Sequence, residues 1–121
     1  MPLPQVPFAR TAEDVQVEAD EFMPGQVLEG NPEQGSAVLW ESADGTSIRG
    51  VWQVTPGVFR WDFEADEMFV VLRGQARIEV AGSDPVAIGP GDMAIFQAGN
   101  KTIWHVTETI RKVFHITSDA S

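Results

Sequence analysis

Gly57-Val-Phe-Arg-Trp-Asp-Phe-Glu-Ala-Asp-Glu-Met-Phe-Val-Val-Leu-Arg-Gly74, followed by Gly89-Pro-Gly-Asp-Met-Ala-Ile-Phe-Gln-Ala-Gly99, decides the fold of this chain. In the first stretch, Val58 to Phe63 reads as a strand, apolar and polar residues alternating from Phe59 to Phe63, and Glu64-Ala-Asp66 turns the chain. Glu67 to Leu72 is a near-continuous apolar run, the pattern of a central strand covered on both faces. Gly74 breaks that run, and Ala76 to Val80 sets Arg77 and Glu79 against Ile78 and Val80. In the second stretch, two glycines and a proline allow a tight turn with positive φ, and Asp92 is placed to accept backbone N–H groups inside it. The turn Gly89-Pro-Gly-Asp92 is read as structural, with no chemistry of its own.

The same pattern extends outward from these segments. Ala37 to Glu41 reads as a strand, Asp44-Gly45 as a turn, and Ile48 to Thr55 as a strand ended by Pro56-Gly57. Beyond the loop Gly82-Ser-Asp84, short strands are expected at Val86–Ile88, Met93–Phe96, Thr102–Val106 and Lys112–Ile116. Short strands at even spacing, with Gly, Pro and Asp turns, predict an all-β sandwich or small barrel in one domain. Residues 1–8 carry three prolines and read as an extended arm. Thr11 to Asp14 fits a capped helical turn, whereas Val15 to Ala19 alternates like a strand, so two readings stand for residues 11–20. The expected organisation is an N-terminal arm over 1–35, partly extended, a barrel over 36–117 and a tail over 118–121.

Composition narrows the function classes. The 121 residues carry a net charge of −10, and residues 1–34 hold seven acids against Arg10 alone. Such a surface repels phosphate backbones, which speaks against a nucleic-acid partner. There is no cysteine, hence no disulfide, thiolate nucleophile or Cys-ligated zinc. No run of about 18 apolar residues predicts a membrane span, and Met1-Pro-Leu-Pro-Gln-Val-Pro7 does not read as a signal peptide. A cytoplasmic location is the default expectation. The apolar residues of the arm, Leu3, Val6, Phe8, Phe22, Met23, Val27 and Leu28, exceed what a free tail needs and predict a homodimer.

With these residues in view, the chain resembles the cupin superfamily, which implies a single-domain jelly-roll β-barrel. The first cupin motif runs Gly, a spacer, His-x-His, a short spacer, Glu, six residues and Gly. Gly57, Glu67 and Gly74 match it, and the two histidine positions fall on Arg60 and Asp62. The second motif ends in Pro-x-Gly, two residues and His. Gly91 and Gly99 match it, with Gln97 in place of the proline and Thr102 in place of the histidine. Gly50 to Gly57, Phe59-Arg-Trp61, Gly91-Asp92, Ala98-Gly99, Trp104 and Arg111-Lys-Val113 are more specifically similar to the Cupin 3 group, related to (S)-ureidoglycine aminohydrolase. The resemblance covers about residues 24–117.

In many cupins those motif positions hold a metal, and the substitutions here argue against one. A catalytic site for Fe, Mn, Ni or Zn needs several converging imidazole or carboxylate donors. The two histidines, His105 and His115, miss the ligand positions, and of the motif's ligands only Glu67 remains, with Asp62 as a second carboxylate. A guanidinium at Arg60 does not bind metal. No metal and no cofactor are therefore expected. The motif alignment turns Arg60 and Asp62 into the barrel, where Arg60 pairs with a carboxylate. A register shifted by one residue instead turns Trp61 and Phe63 inward and fills the interior with rings. Of the four tryptophans, Trp104 shares a face with Thr102 and is the expected wall residue, while Trp40 and Trp52 read as packing.

The functional expectation is a non-metal barrel that binds a small polar metabolite through Arg60, Asp62, Glu67, Thr102 and Trp104. The alternative is an enzyme related to the ureidoglycine aminohydrolase cupins, acting on a small nitrogenous metabolite.

Overall fold

The computed structural model describes residues 3–118. The tail expected at 118–121 lies outside the described residues from 119 onward. Among the described residues there is one 3-10 turn, Ala12–Asp14, and the rest of the regular structure is strand. The strands are β1 (Glu18–Asp20), β2 (Val27–Glu29), β3 (Gln34–Glu41), β4 (Ser47–Val54), β5 (Gly57–Asp62), β6 (Asp66–Val80), β7 (Val86–Ile88), β8 (Met93–Phe96) and β9 (Lys101–Thr117). Residues 11–20 divide between the two readings: the helical turn forms at Ala12–Asp14 without a side-chain cap from Thr11, and the strand forms at Glu18–Asp20, later than the alternating stretch Val15–Ala19. The segment read as an arm also contributes β1 and β2 to the sheets.

Two long strands organise everything else. β6 and β9 pair antiparallel along their whole lengths, from Asp66↔Thr117 to Val80↔Thr102. Each then serves two sheets. The first sheet runs β1-β3-β4, the C-terminal half of β9, the N-terminal half of β6, and β8. The second runs β2-β5, the N-terminal half of β9, the C-terminal half of β6, and β7. The two sheets face one another and enclose a single core, the arrangement of a jelly-roll barrel.

The bend between the sheets is set at Gly74. The β6–β9 register shifts between Val71 and Ala76. Before the shift the buried residues of β6 are Glu67, Phe69 and Val71; after it they are Ala76 and Ile78. The inward parity therefore changes from odd to even, as a bulge requires. Gly74 carries φ +96°, and a Cβ there would stand 2.1 Å from the Thr109 carbonyl oxygen. Only glycine satisfies both conditions.

The turns follow their local chemistry. Between β3 and β4, Asp44 Oδ1 accepts from Ser42 Oγ at 2.7 Å and from the Thr46 N–H at 3.1 Å, and these bonds lower its pKa to about 2. Between β7 and β8, Asp92 Oδ2 accepts the Gly89 N–H at 2.8 Å, the role read for it from the sequence.

Among the described residues no helix is long and apolar enough to cross a membrane.

Gly74→Ala is expected to destabilise the fold by about 3 kcal/mol or more, because it adds overpacking to positive-φ strain. Gly82→Ala, with φ +78° and nothing within 4 Å of the added Cβ, is expected to cost only about 1–2 kcal/mol of backbone strain. Urea unfolding midpoints of the two variants against the parent protein measure both.

Candidate functional site

The interior is built from aromatic rings supplied by strands of both sheets. Phe59 and Phe63 of the β5 segment point inward and are buried, and Trp61 is half-buried. Phe59 stacks on Trp104 with centroids 6.0 Å apart, its direct partner across the β5–β9 ladder. Trp52 of β4 meets Trp61 and Trp104 edge-on at 5.5 and 5.7 Å. Phe63 stacks on Phe96 at 4.5 Å.

This arrangement corrects the expected register of β5. Arg60 and Asp62 lie on the outer face and are exposed. The alternation in Phe59-Arg-Trp-Asp-Phe63 admits one set of side chains or the other. Burying three rings releases far more apolar surface than burying a cation and an anion, which would also lose their hydration. The backbone on this stretch is held from the side, with the Arg60 N–H donating to the Gln26 carbonyl and Gln26 Nε2 donating to the Arg60 carbonyl.

The other three residues picked out by the sequence are all buried: Thr102 and Trp104 touch each other, and Glu67 is joined to Trp104 only through Lys112. Thr102 Oγ1 donates to the Trp61 carbonyl at 2.6 Å and accepts from Trp104 Nε1 at 3.1 Å. Trp104 is 1% exposed and Glu67 6%. Trp52 Nε1 donates to Gln34 Oε1 at 2.9 Å, so both deeply buried indoles have their N–H groups satisfied. Among the described residues no buried side-chain nitrogen or oxygen lacks a partner.

Lys112 completes the site. Its Nζ donates to Glu67 Oε2 at 2.6 Å, and the two side chains are 4% and 6% exposed. The ammonium also lies 4.1 Å from the Phe69 ring centre, 4.6 Å from Trp52 and 5.3 Å from Trp104. Lys112 stands opposite Trp52 on the β4–β9 ladder, while Glu67 pairs with Ile116 further along β9. The lysine stem therefore runs along the sheet over Phe69 to reach the carboxylate. Burial lowers the Lys112 pKa below the usual lysine range, and the attraction and hydrogen bond of Glu67 oppose the shift without cancelling it. Lys112 was missed in the sequence, although the signal was present. In Ile110-Arg-Lys-Val-Phe114 the strand period puts Lys112 on the face of Ile110 and Phe114, and Arg111 on the other.

Arg111 is buried for a different reason. It lies on the outer face of β9 beneath the 3-10 turn, where its guanidinium donates to the carbonyls of Ala12 and Val15 and to Gln53 Oε1. That contact fastens the N-terminal segment to the first sheet.

The residues around Glu67 do not fit a metal. The Lys112 ammonium takes the place beside the carboxylate that a cation needs, the surrounding rings offer no lone pairs, and the Thr102 hydroxyl donates to the Trp61 carbonyl and accepts from Trp104 Nε1. Among the described residues no three His, Cys, Asp or Glu side chains cluster. A tethered ammonium supplies the positive charge instead.

Removing one member of a buried pair leaves the other charge uncompensated, whereas replacing both by apolar groups is often neutral. Lys112→Met and Glu67→Leu are each expected to cost about 3 kcal/mol, and the double variant much less than their sum. The lowered Lys112 pKa has a pH signature. On the alkaline side the native state releases this proton before the unfolded chain does, so the unfolded state binds more protons and stability rises with pH up to the ordinary lysine range. Thermal melts across that window are expected to show this rise in the parent protein and to lose it in Lys112→Met.

Comparison with known proteins agrees with the barrel. Residues 41–114 match the family model of the EutQ-like cupin domain. A protein of unknown function of the DUF861 family from Pseudomonas syringae superposes with TM-score 0.78 at 20% identity, over 87% of this chain and 46% of that one. This chain thus spans about half the length of that relative. A putative ethanolamine utilization protein Q from Salmonella typhimurium gives 0.63 at 20% identity, covering 73% of this chain and 72% of the other. The cupin domain of Schizosaccharomyces pombe Cnp3 gives 0.69 at 13% identity, with 92% and 74% covered. No curated protein matches the chain. The paired long strands, the ring-filled interior and the family match lead to one conclusion: the chain belongs to the EutQ-like cupin domain family.

Proposed function

We propose that this chain is a metal-independent cupin that binds a small polar metabolite inside the barrel, with Glu67 and Lys112 as the recognising groups. The observation that carries this reading is the buried Lys112–Glu67 pair in its ring of Phe69, Trp52 and Trp104. A carboxylate and an ammonium facing one another inside a barrel form a self-satisfied pair. A ligand that brings a carboxylate for Lys112 and an ammonium for Glu67 replaces that pair without leaving a charge unpaired, and an amide oxygen or ureido N–H replaces its hydrogen bonds. Thr102 and Trp104 then form the wall behind it. Arg60 and Asp62, on the outer face, take no part.

The second reading is an enzyme related to the ureidoglycine aminohydrolase cupins. The observation that favours it is an acid and an amine of lowered pKa in direct contact, the pairing that proton transfer requires.

The test is a thermal-shift screen of amino acids, ureides and small organic acids, with amino alcohols added because a structural neighbour is described as an ethanolamine utilization protein. A ligand of the proposed kind is expected to raise the melting temperature by several degrees in the parent protein and to lose the effect in Glu67→Gln and Lys112→Met. A shift that survives both substitutions, or no shift with any compound, overturns the binding reading. Release of ammonia from a bound compound, abolished in Lys112→Met, establishes the second reading.

A further inference from the structure

The chain carries eight basic residues, and two of them, Lys101 and Lys112, are lysines. They stand in opposite surroundings. Lys101 is exposed at the start of β9. Lys112 is buried, with its Nζ 2.6 Å from Glu67 Oε2 and 4.1 to 5.3 Å from three ring centres. For a buried ion pair alone, a guanidinium is the better cation, because it stays charged and holds a carboxylate with two bonds. What a lysine offers at this position and an arginine does not is an amine that becomes a nucleophile when it gives up a proton.

The contact with Glu67 holds what that nucleophile needs. Transfer of one proton along the Lys112–Glu67 hydrogen bond leaves a neutral amine beside a carboxylic acid. Burial, which lowers the Lys112 pKa, disfavours the charged form that this transfer removes.

The surroundings also select the reaction. Acylation or carbamylation of Nζ would abolish its positive charge and leave Glu67 buried without a partner. Condensation with an aldehyde does not. Its product is a protonated imine, a cation at the same atom. That cation keeps Glu67 as its counterion, and Phe69, Trp52 and Trp104 remain its cation–π partners. A simple aldehyde is itself uncharged, so it enters a ring-lined interior without the desolvation cost of an ion.

We propose that Lys112 is a nucleophile that captures a small, uncharged aldehyde as a Schiff base inside the barrel, with Glu67 moving the protons. Capture at this position rests on the proposed reading that a small molecule reaches Glu67 and Lys112. The amine nitrogen bonds to the carbonyl carbon, and the carbonyl oxygen takes the Glu67 proton, giving a carbinolamine. A proton from the nitrogen returns to Glu67 and then passes to the carbinolamine hydroxyl, which leaves as water. Lys112 ends as the protonated imine and Glu67 as the carboxylate. One ammonium and one aldehyde have become one iminium and one water, and nothing is oxidised or reduced.

Reductive trapping with propanal and cyanoborohydride at neutral pH tests the proposal, with peptide mapping to read the two lysines separately. In the folded parent protein Lys112 is expected to gain a propyl group roughly tenfold faster than the exposed Lys101, the reverse of the order that burial alone gives. Lys101→Arg is expected to leave the label at Lys112 unchanged. Lys112→Arg, which keeps a cation for Glu67, is expected to abolish the label at that position and leave Lys101 labelled as before. A Lys112 that stays unlabelled, or is labelled no faster than Lys101, overturns the proposal. If a charged metabolite still raises the melting temperature through Glu67 and Lys112, only the covalent step falls. If neither labelling nor a thermal shift occurs, the interior is closed and both readings fall.

Discussion

The pairing of β6 with β9 is the constraint on which the rest of this structure depends. Strands of 15 and 17 residues are too long to lie in one sheet of so small a domain, so they bend and each contributes to two. The bend needs a residue without a Cβ, because the backbone of β9 passes at Thr109 where a side chain of residue 74 would begin. One bulge then decides which residues face inward on each side of it. Everything placed inside the barrel, including the charged pair, inherits its position from that switch of parity.

A charge pair inside a ring-filled barrel demands a reason, since a buried ion pair seldom adds stability over apolar residues of the same size. In this chain the pair is well provided for. Glu67 receives the ammonium directly, and three aromatic faces surround the remaining donor directions of Lys112 with negative quadrupole density. The lysine thus sets beside Glu67 a positive charge supplied by the chain itself, anchored on β9.

The outer surfaces of the two sheets are treated differently. On the second sheet, Arg77, Glu79 and His105 stand outward on neighbouring positions, and His105 contacts Glu79 across the ladder. On the first, one outward row, Ala37, Val51, Val113, Val70 and Met93, is apolar, and the 3-10 turn is fastened by Arg111 over the polar row beside it. An ordinary solvated face needs no such cover. The N-terminal segment is therefore part of how this sheet keeps its outer side from water.

The sequence by itself determined the all-β class, the single domain, the two turns at Asp44-Gly45 and Gly89-Asp92, and the shared face of Thr102 and Trp104, while the inward position of Glu67 and Thr102 was implied by the resemblance to the cupin motifs. These depend on local chemistry and on the period of two, and both are written into consecutive residues. Tertiary structure decided the rest. Phe59-Arg-Trp-Asp-Phe63 reads equally well in either register, and only the opposing rings of Trp52, Trp104 and Phe96 showed that the aromatic set faces inward. Lys112 and Glu67 are 45 residues apart, on strands whose mutual register depends on the bulge at Gly74. Their contact follows from the closure of the barrel, because no local pattern encodes the distance between side chains that a long-range ladder brings together.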